Sequence, residues 1–305
     1  MESLTPYSVL QIDPNTVENE EQLGSKPKFW FRHEGHRWLF KEARPNTGEH
    51  WAEKIAAEVA AILHIPSARV ELAECQGRKG CAVESFILAR RREVLVHGNE
   101  LLAGSVTGYD MTKRFRQSDH TLTNIIQAVE SVFDHGSRRK EAAELLCGYL
   151  TLDALIGNTD RHHENWGLIL TVMAQDKNTE EVLLRVAPSF DHASSLGREL
   201  LDDDRKRKLK ENIVLNYVKK GRGGIFGNTN DKHGLSPLEA AKQAQILYPK
   251  LFHKWLLNLA TLDDLHIHQI VAHVPNEWIS PIAREFAATM INIGRAELLN
   301  TLPIS

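Results

Sequence analysis

Between Ile156 and Gly167 the chain reads "IGNTDRHHENWG", and this short stretch concentrates side chains suited to chemistry. Asp160 and Asn165 stand five positions apart, and Asp191 follows in "PSFDHASSLG". An aspartate that can position a hydroxyl, an asparagine that can ligate a divalent cation and a later aspartate for the same metal form the D-x-x-x-x-N … D arrangement of phosphoryl-transfer enzymes. Oxygen donors suit Mg²⁺, which bridges phosphates and offsets their charge. The spacing lets Asp160 and Asn165 face one pocket from the two ends of a single tight loop. The same pattern also occurs in plain polar helix–strand connections, so the other parts of such a site must be sought upstream.

Phosphoryl transfer needs a cation on the nucleotide phosphates, usually a lysine on a buried strand. "RWLFKE" supplies Lys41 at the end of an aromatic run, and "WAEKIAAEVA" offers it two carboxylate partners, Glu53 and Glu58. "EQLGSKPK" (21–28) occupies the place of a phosphate-covering loop, with Ser25 and Lys26 at its centre, although it is thinner in glycine than G-x-G-x-x-G. His162, His163 and Glu164 lack the H-x-x-x-H or H-E-x-x-H spacing of a zinc site, so a loop-orienting hydrogen-bond role is expected of the histidines instead. "DDDRKRKLK" (202–210) reads as a solvated helix face. "YVKKGRGG" (217–224) reads as a mobile glycine loop after two lysines, where kinases keep an activation or docking segment.

The elements that must position these residues follow from periodicity. "YSVLQI" (7–12), "KFWFRH" (28–33) and "HRWLFKE" (36–42) are rich in aromatic and β-branched residues and predict strands, the last two forming a hairpin across Glu34 and Gly35. "EHWAEKIAAEVAAIL" (49–63) predicts a helix with an Ile55, Val59, Ile62 stripe, stopped ahead of Pro66. "ARVELAE" and "CAVESFIL" predict two further strands. From about Thr121 the pattern turns helical, broken by the strand-like "GLILTV" and "VLLRVA" beyond the polar loop. Ser236-Pro237 and Ser280-Pro281 each open a helix with a cap residue and a proline. The expectation is an α+β chain with a nucleotide-binding N-terminal lobe over residues 1–90 and a helical catalytic lobe over 91–305. They join near residues 84–104 and touch, since no Gly/Ser linker separates them.

The totals narrow the function classes. With 305 residues, 42% hydrophobic and 25% charged, the composition is that of an ordinary globular chain with a sizeable core. A net charge of -3 gives no general attraction to polyanions, so no direct nucleic-acid contact is expected. Three cysteines without CxxC spacing fit a reducing, cytoplasmic setting. No apolar run of membrane-spanning length and no leader-like N-terminus is present, so neither a membrane nor secretion is expected.

"DALIGNTDRHHENWG" followed by "PSFDHASSLG" resembles the core of HipA-like serine/threonine kinases, whose catalytic-lobe fold is shared with the phosphatidylinositol kinases. The resemblance also takes in "LGSKPKFWF", "WLFKE", "AEKIAAEVAAILHIP", "AVESF" and "VHGNELL", over roughly residues 20–230. It implies a two-lobed protein-kinase-like fold using ATP and Mg²⁺ on a protein substrate with a serine or threonine acceptor. Asp160 would be the catalytic base, Asn165 and Asp191 would hold Mg²⁺, and Lys41 would bind the nucleotide phosphates with Glu53 as its helix carboxylate. Glu84 and Phe86, in the interlobe hinge, would offer backbone groups to adenine, and Ser25 is the nearest candidate for a regulatory autophosphorylation. The chain begins only some twenty residues before the phosphate loop, like the short, stand-alone members without the extra N-terminal subdomain. The resemblance therefore also implies a toxin–antitoxin setting, with an antitoxin or a small subdomain-like protein as partner. A lipid or small-molecule kinase and a nucleotide-binding regulator without catalysis are the alternatives.

Overall fold

The computed structural model describes residues 5–20, 27–133, 136–174 and 180–300. Strands β1 (Val9–Gln11), β2 (Val17–Glu20), β3 (Lys28–His33), β4 (His36–Glu42), β5 (Val70–Cys75) and β6 (Arg78–Glu84) form one sheet in the order β1-β5-β6-β4-β3-β2. Only β1 runs parallel to its neighbour, β5. The β3–β4 hairpin turns on Glu34 and Gly35, both with positive φ (49° and 78°), a geometry that matches the strand twist.

Strand alternation gives this sheet two different faces. Phe29, Phe31, Trp38, Phe40 and Ala82 share one face by register, and most of them build an aromatic cluster with Ile12 and Ala73. Leu39, Lys41, Cys81, Val83 and Val70 share the other. Helix α1 (Glu49–Ile62) covers that second face, with Ala57 against Val70, Cys81 and Val83.

The expected stripe on α1 understates its burial. Glu49 through Ala57, Val59 and Ala60 are all buried, while Ile62 is only half-buried. The alanines let the sheet approach from one side and the helical lobe from the other, so Trp51, Ile55, Val59 and Leu63 belong to the core of both lobes. Backbone bonds reinforce the junction: Ala68 N donates to Ser189 O and Ser189 N to Pro66 O, each at 2.9 Å.

Beyond the hinge come β7 (Glu93–His97), α2 (Gly98–Ser105), α3 (Leu122–Ser131) and α4 (Gly136–Ile156). Next are β8 (Gly167–Ala174) and β9 (Glu180–Val186), which join β7 in a second sheet of order β7-β8-β9. The chain finishes with α5 (Asp202–Lys210), α6 (Val214–Lys220), α7 (Pro237–Leu247), α8 (Pro249–Thr261), α9 (Asp264–Ala272) and α10 (Pro281–Leu299). Ser236 and Ser280 cap α7 and α10 as expected, each hydroxyl accepting from the backbone three residues on. The second half of α4 is buried from Leu146 to Ile156, so the polar loop that follows springs from the middle of the lobe's core. No helix among the described residues is long and apolar enough to cross a membrane.

Candidate active site

Lys41 leaves β4 on the face that looks toward α1 and the helical lobe. Its Nζ donates to Asp191 Oδ1 at 2.9 Å, across 150 residues of sequence. Burial works against the lysine's charge, yet the carboxylates of Asp191 and Glu53 outweigh it and raise its pKa above the ordinary range. Of the two candidate helix carboxylates, Glu58 is taken by Lys54 at 2.8 Å. Glu53 is fully buried, and its Oε1 accepts from His192 N at 2.9 Å. Burial would raise its carboxyl pKa, but the Lys41 charge and the His192 side chain, whose Nδ1 lies 3.5 Å from Oε1, prevail and hold it below the usual range. Glu53, then, is the carboxylate that shares the lysine's surroundings.

The polar loop is folded by its own side chains. Asp160 N donates to Asn158 Oδ1 at 3.1 Å, and Asn165 Nδ2 donates to Asp160 O at 2.7 Å. A carbonyl only accepts, so the Asn165 amide nitrogen is fixed there and its Oδ1 carries the lone pairs a cation would use. Asp160 and Asp191 remain partly open to solvent, each with 37% of its side chain exposed. Asp191 stands in the left-handed region (φ 61°), which aspartate tolerates better than most residues.

Arg161, between these residues, is the strut. It is buried and grips Asp153 of α4 in a bidentate pair (Nε–Oδ2 2.7 Å, Nη2–Oδ1 2.8 Å). It also donates to Asn165 O at 2.6 Å and Ser189 Oγ at 2.9 Å. Because Arg161 can only donate, the Ser189 hydroxyl hydrogen is free for His192 Nε2, 2.7 Å away. A continuous buried chain therefore runs Asp153, Arg161, Ser189, His192, Glu53. Sequence reasoning assigned no role to four of these five. The available signal was Asp153 itself, a carboxylate inside the apolar run "YLTLDALI", which must find a partner.

The histidines act as loop supports. His163 Nδ1 bonds the Tyr109 hydroxyl at 2.8 Å, and His162 Nε2 accepts from Arg114 at 3.1 Å while standing 3.9 Å from Asp160 Oδ1. Burial, with Arg114 second, pushes the His162 pKa down to about 3, so the ring is neutral. Among the described residues no three His, Cys, Asp or Glu side chains gather as a self-sufficient metal centre. The glycines of "YVKKGRGG" differ from the expected mobile loop in their packing. A Cβ on Gly224 would lie 2.8 Å from Arg161 O and 2.9 Å from His162 Cα, so glycine here permits a backbone to lie against the polar loop.

At the hinge, Phe86 packs against Phe190 (ring centroids 5.5 Å apart), beside Val70 and Val83. The Glu84 carboxylate is tied to His36 (2.6 Å) and Arg69 (3.5 Å), so a role at the cleft would fall to its main chain. The structure thus brings Lys41, Glu53 and Asp191 together and joins Asp160 to Asn165. Ser25 and Lys26 lie outside the described residues.

Comparison with known proteins identifies the family and the fold. Residues 22–245 match the model of the HipA-like C-terminal domain. A Helicobacter pylori proinflammatory kinase, CtkA, superposes with a TM-score of 0.73 at 17% identity, covering 98% of this chain and 96% of that one. HipA from Shewanella oneidensis MR-1, in its complex with HipB and operator DNA, gives 0.55 at 14% identity, covering 96% of this chain and 69% of that one. No curated protein sequence matches the chain. The two solved structures share its two-lobed fold of mixed sheet and helices, and the match over residues 22–245 makes the chain a member of the HipA-like C-terminal domain family.

Proposed function

We propose that the chain is an ATP- and Mg²⁺-dependent serine/threonine protein kinase of HipA type. The observation that carries this reading is the Lys41–Asp191 contact at 2.9 Å, with buried Glu53 behind it. A lysine held charged beside two carboxylates is a site for polyphosphate, because phosphate oxygens can replace a carboxylate as its partner. The apolar surfaces of Val70, Val83, Phe86 and Phe190 would take the adenine, and the main chain of Glu84 and Phe86 its polar edge. Asn165 and Asp191 offer only oxygen donors, the set that fits a hard cation bound jointly with phosphates. Held there, Mg²⁺ would neutralise charge on the phosphates.

The protein's own residues do the rest. Asp160 accepts the proton of the acceptor hydroxyl as the new O–P bond forms and the bond to the nucleotide's bridging oxygen breaks, leaving ADP. The clamp from Asn165 Nδ2 to the Asp160 carbonyl fixes the base relative to that donor. Neutral His162 adds no positive charge that would make Asp160 a weaker base. The acceptor is a serine or threonine of a protein, and an antitoxin-like protein is the regulatory partner this reading expects, as HipB accompanies the Shewanella HipA.

Intact-mass spectrometry after incubation with ATP and Mg²⁺ tests the proposal, with Asp191→Asn as control and Mg²⁺-ATP thermal stabilisation measured alongside. A gain of about 80 Da in the wild type alone, the mass of one phosphoryl group, is the expected result. The absence of both a mass gain and stabilisation by Mg²⁺-ATP would overturn the reading.

A further inference from the structure

At the opposite end of α4 from the Asp153–Arg161 pair, the β7-β8-β9 sheet and the start of α4 enclose a groove of about 760 Å³. It shares no lining residue with the cleft around Lys41. We propose that this groove is a docking site for an acidic peptide segment of a partner protein, with aliphatic side chains interleaved among its carboxylates.

Charge is the first argument. Arg90, Arg91, Arg92, Arg138 and Arg185 all line the groove, and all are exposed. Among the described residues that line the groove, two carboxylates, Glu93 and Glu141, are present against them. Glu93 is buried and spent within the fold: it takes Arg185 at 3.3 Å and the backbone N–H of Leu88 at 2.8 Å. That second bond fixes the turn carrying the three consecutive arginines. Arg90, Arg91 and Arg138 have no ion pair within the described residues, and surface charges of one sign gathered in a groove concentrate the opposite sign from solution. Arg92 sits at φ 54°, a conformation that a bulky residue rarely adopts.

The groove's floor chooses between kinds of polyanion. Val172 of β8 and Leu184 and Val186 of β9 share a sheet face by register, and they meet Phe133 and Leu145 across the groove. Val94 and Val182 extend the same face, exposed at 57% and 53%. Aliphatic walls of this kind bury leucine- or valine-like side chains. A nucleic acid would want aromatic platforms for its bases, and Phe133, the one aromatic residue among the described residues lining the groove, is itself buried. An extended segment with acidic residues on one side and aliphatic ones on the other satisfies both rim and floor.

The test uses the full chain and a fluorescein-labelled peptide of alternating glutamate and leucine, roughly ten residues long, which spans about 33 Å when extended. Controls are the lysine-for-glutamate peptide and an oligo-dT of similar length. Fluorescence anisotropy should show saturable binding of the acidic peptide that weakens with added salt. The triple variant Arg90→Glu, Arg91→Glu, Arg138→Glu should weaken it by about tenfold or more, with an unchanged melting temperature because all three side chains are exposed. Absent binding to wild type, equal binding by the variant, or equal binding of the lysine peptide would each overturn the proposal. Tighter binding of oligo-dT than of the peptide would overturn it in favour of a nucleic-acid site. None of these readouts depends on phosphoryl transfer.

Discussion

Removing Asp153 should damage the protein in two separable ways. Its carboxylate accepts from Arg161 Nε at 2.7 Å and Nη2 at 2.8 Å, and from Asn158 Nδ2 at 2.8 Å. The paired side chains are only 3% and 6% exposed. Asp153→Ala therefore strands a buried guanidinium, a change that costs about 3–5 kcal/mol. At roughly 2–4 °C per kcal/mol for chains of a few hundred residues, the melting temperature should fall by about 6–20 °C. The double variant Asp153→Leu, Arg161→Met removes both charges, and apolar replacement of a whole buried pair is close to neutral. It should recover a good part of the loss, by a coupling of about 1–3 kcal/mol, while leaving Asn165 O and Ser189 Oγ without their donor. The double variant is thus expected to be better folded than the single one and still inactive. Differential scanning fluorimetry and a phosphoryl-transfer assay read the two effects. A single variant that melts within about 2 °C of wild type would refute the strut, as would a double variant no more stable than the single.

Lys41→Met should lower the melting temperature, because it leaves buried Glu53 without its cation, and should lose transfer per folded molecule by about a hundredfold or more, the scale of losing one preorganised charge contact; a turnover within a few fold of wild type would remove Lys41 from the site. Gly224→Ala forces a methyl group to within 2.9 Å of the backbone at Arg161 and His162 and should cost about 1–3 kcal/mol together with activity. An unchanged melting curve would contradict the close packing. Stability should also fall steeply on mild acidification, because burial holds His50 at about 4 and His120 and His162 at about 3 against an ordinary 6.5. Below pH 6.5 the unfolded chain binds protons that the fold refuses, so stability is full above that value and is lost toward pH 4. Each ring contributes about 1.4 kcal/mol per pH unit. Urea midpoints that agree at about pH 7.5 and pH 5.5 would count against neutral buried rings.

Local pattern carried the elements whose boundaries are set locally. The β3–β4 hairpin was legible because Glu34-Gly35 closes two aromatic runs, and α7 and α10 because Ser-Pro states where each begins. Strand β7 was not, since five residues behind three arginines give little periodicity, and it becomes a strand only by pairing with β8. On α1 the large apolar residues mark one stripe, while alanines carry the second face without advertising it. The glycines after Lys220 read as freedom because a sequence does not show the backbone lying against them. Within the candidate site, Lys41, Asp160, Asn165 and Asp191 stood out in the sequence because the proposed chemistry would dictate residue type and order. Asp153, Arg161, Ser189 and His192 were not, because their roles exist only once α4, the polar loop and the segment before Asp191 meet.

That meeting has a mechanical consequence. Glu53 lies on a helix buried by both lobes, and its carboxylate is bonded to the backbone of His192, the neighbour of Asp191. His192 is joined through Ser189 to Arg161, and Arg161 to the carbonyl of Asn165. The helix carboxylate, the later aspartate and the polar loop therefore move as one body, and regulation by swinging α1 away would have to break the shared core. Ser189→Ala tests this coupling without stranding a charge, because Arg161 keeps both bonds to Asp153. It should cost about 1–3 kcal/mol for the lost buried hydrogen bonds, leaving a cooperative fold. Turnover should drop by more than that loss explains through unfolding at assay temperature, since the orientation of Asp191 to the polar loop is what the serine maintains. Equal turnover per folded molecule in Ser189→Ala and wild type would show that the backbone bonds at Pro66 and Ala68 hold the site without it.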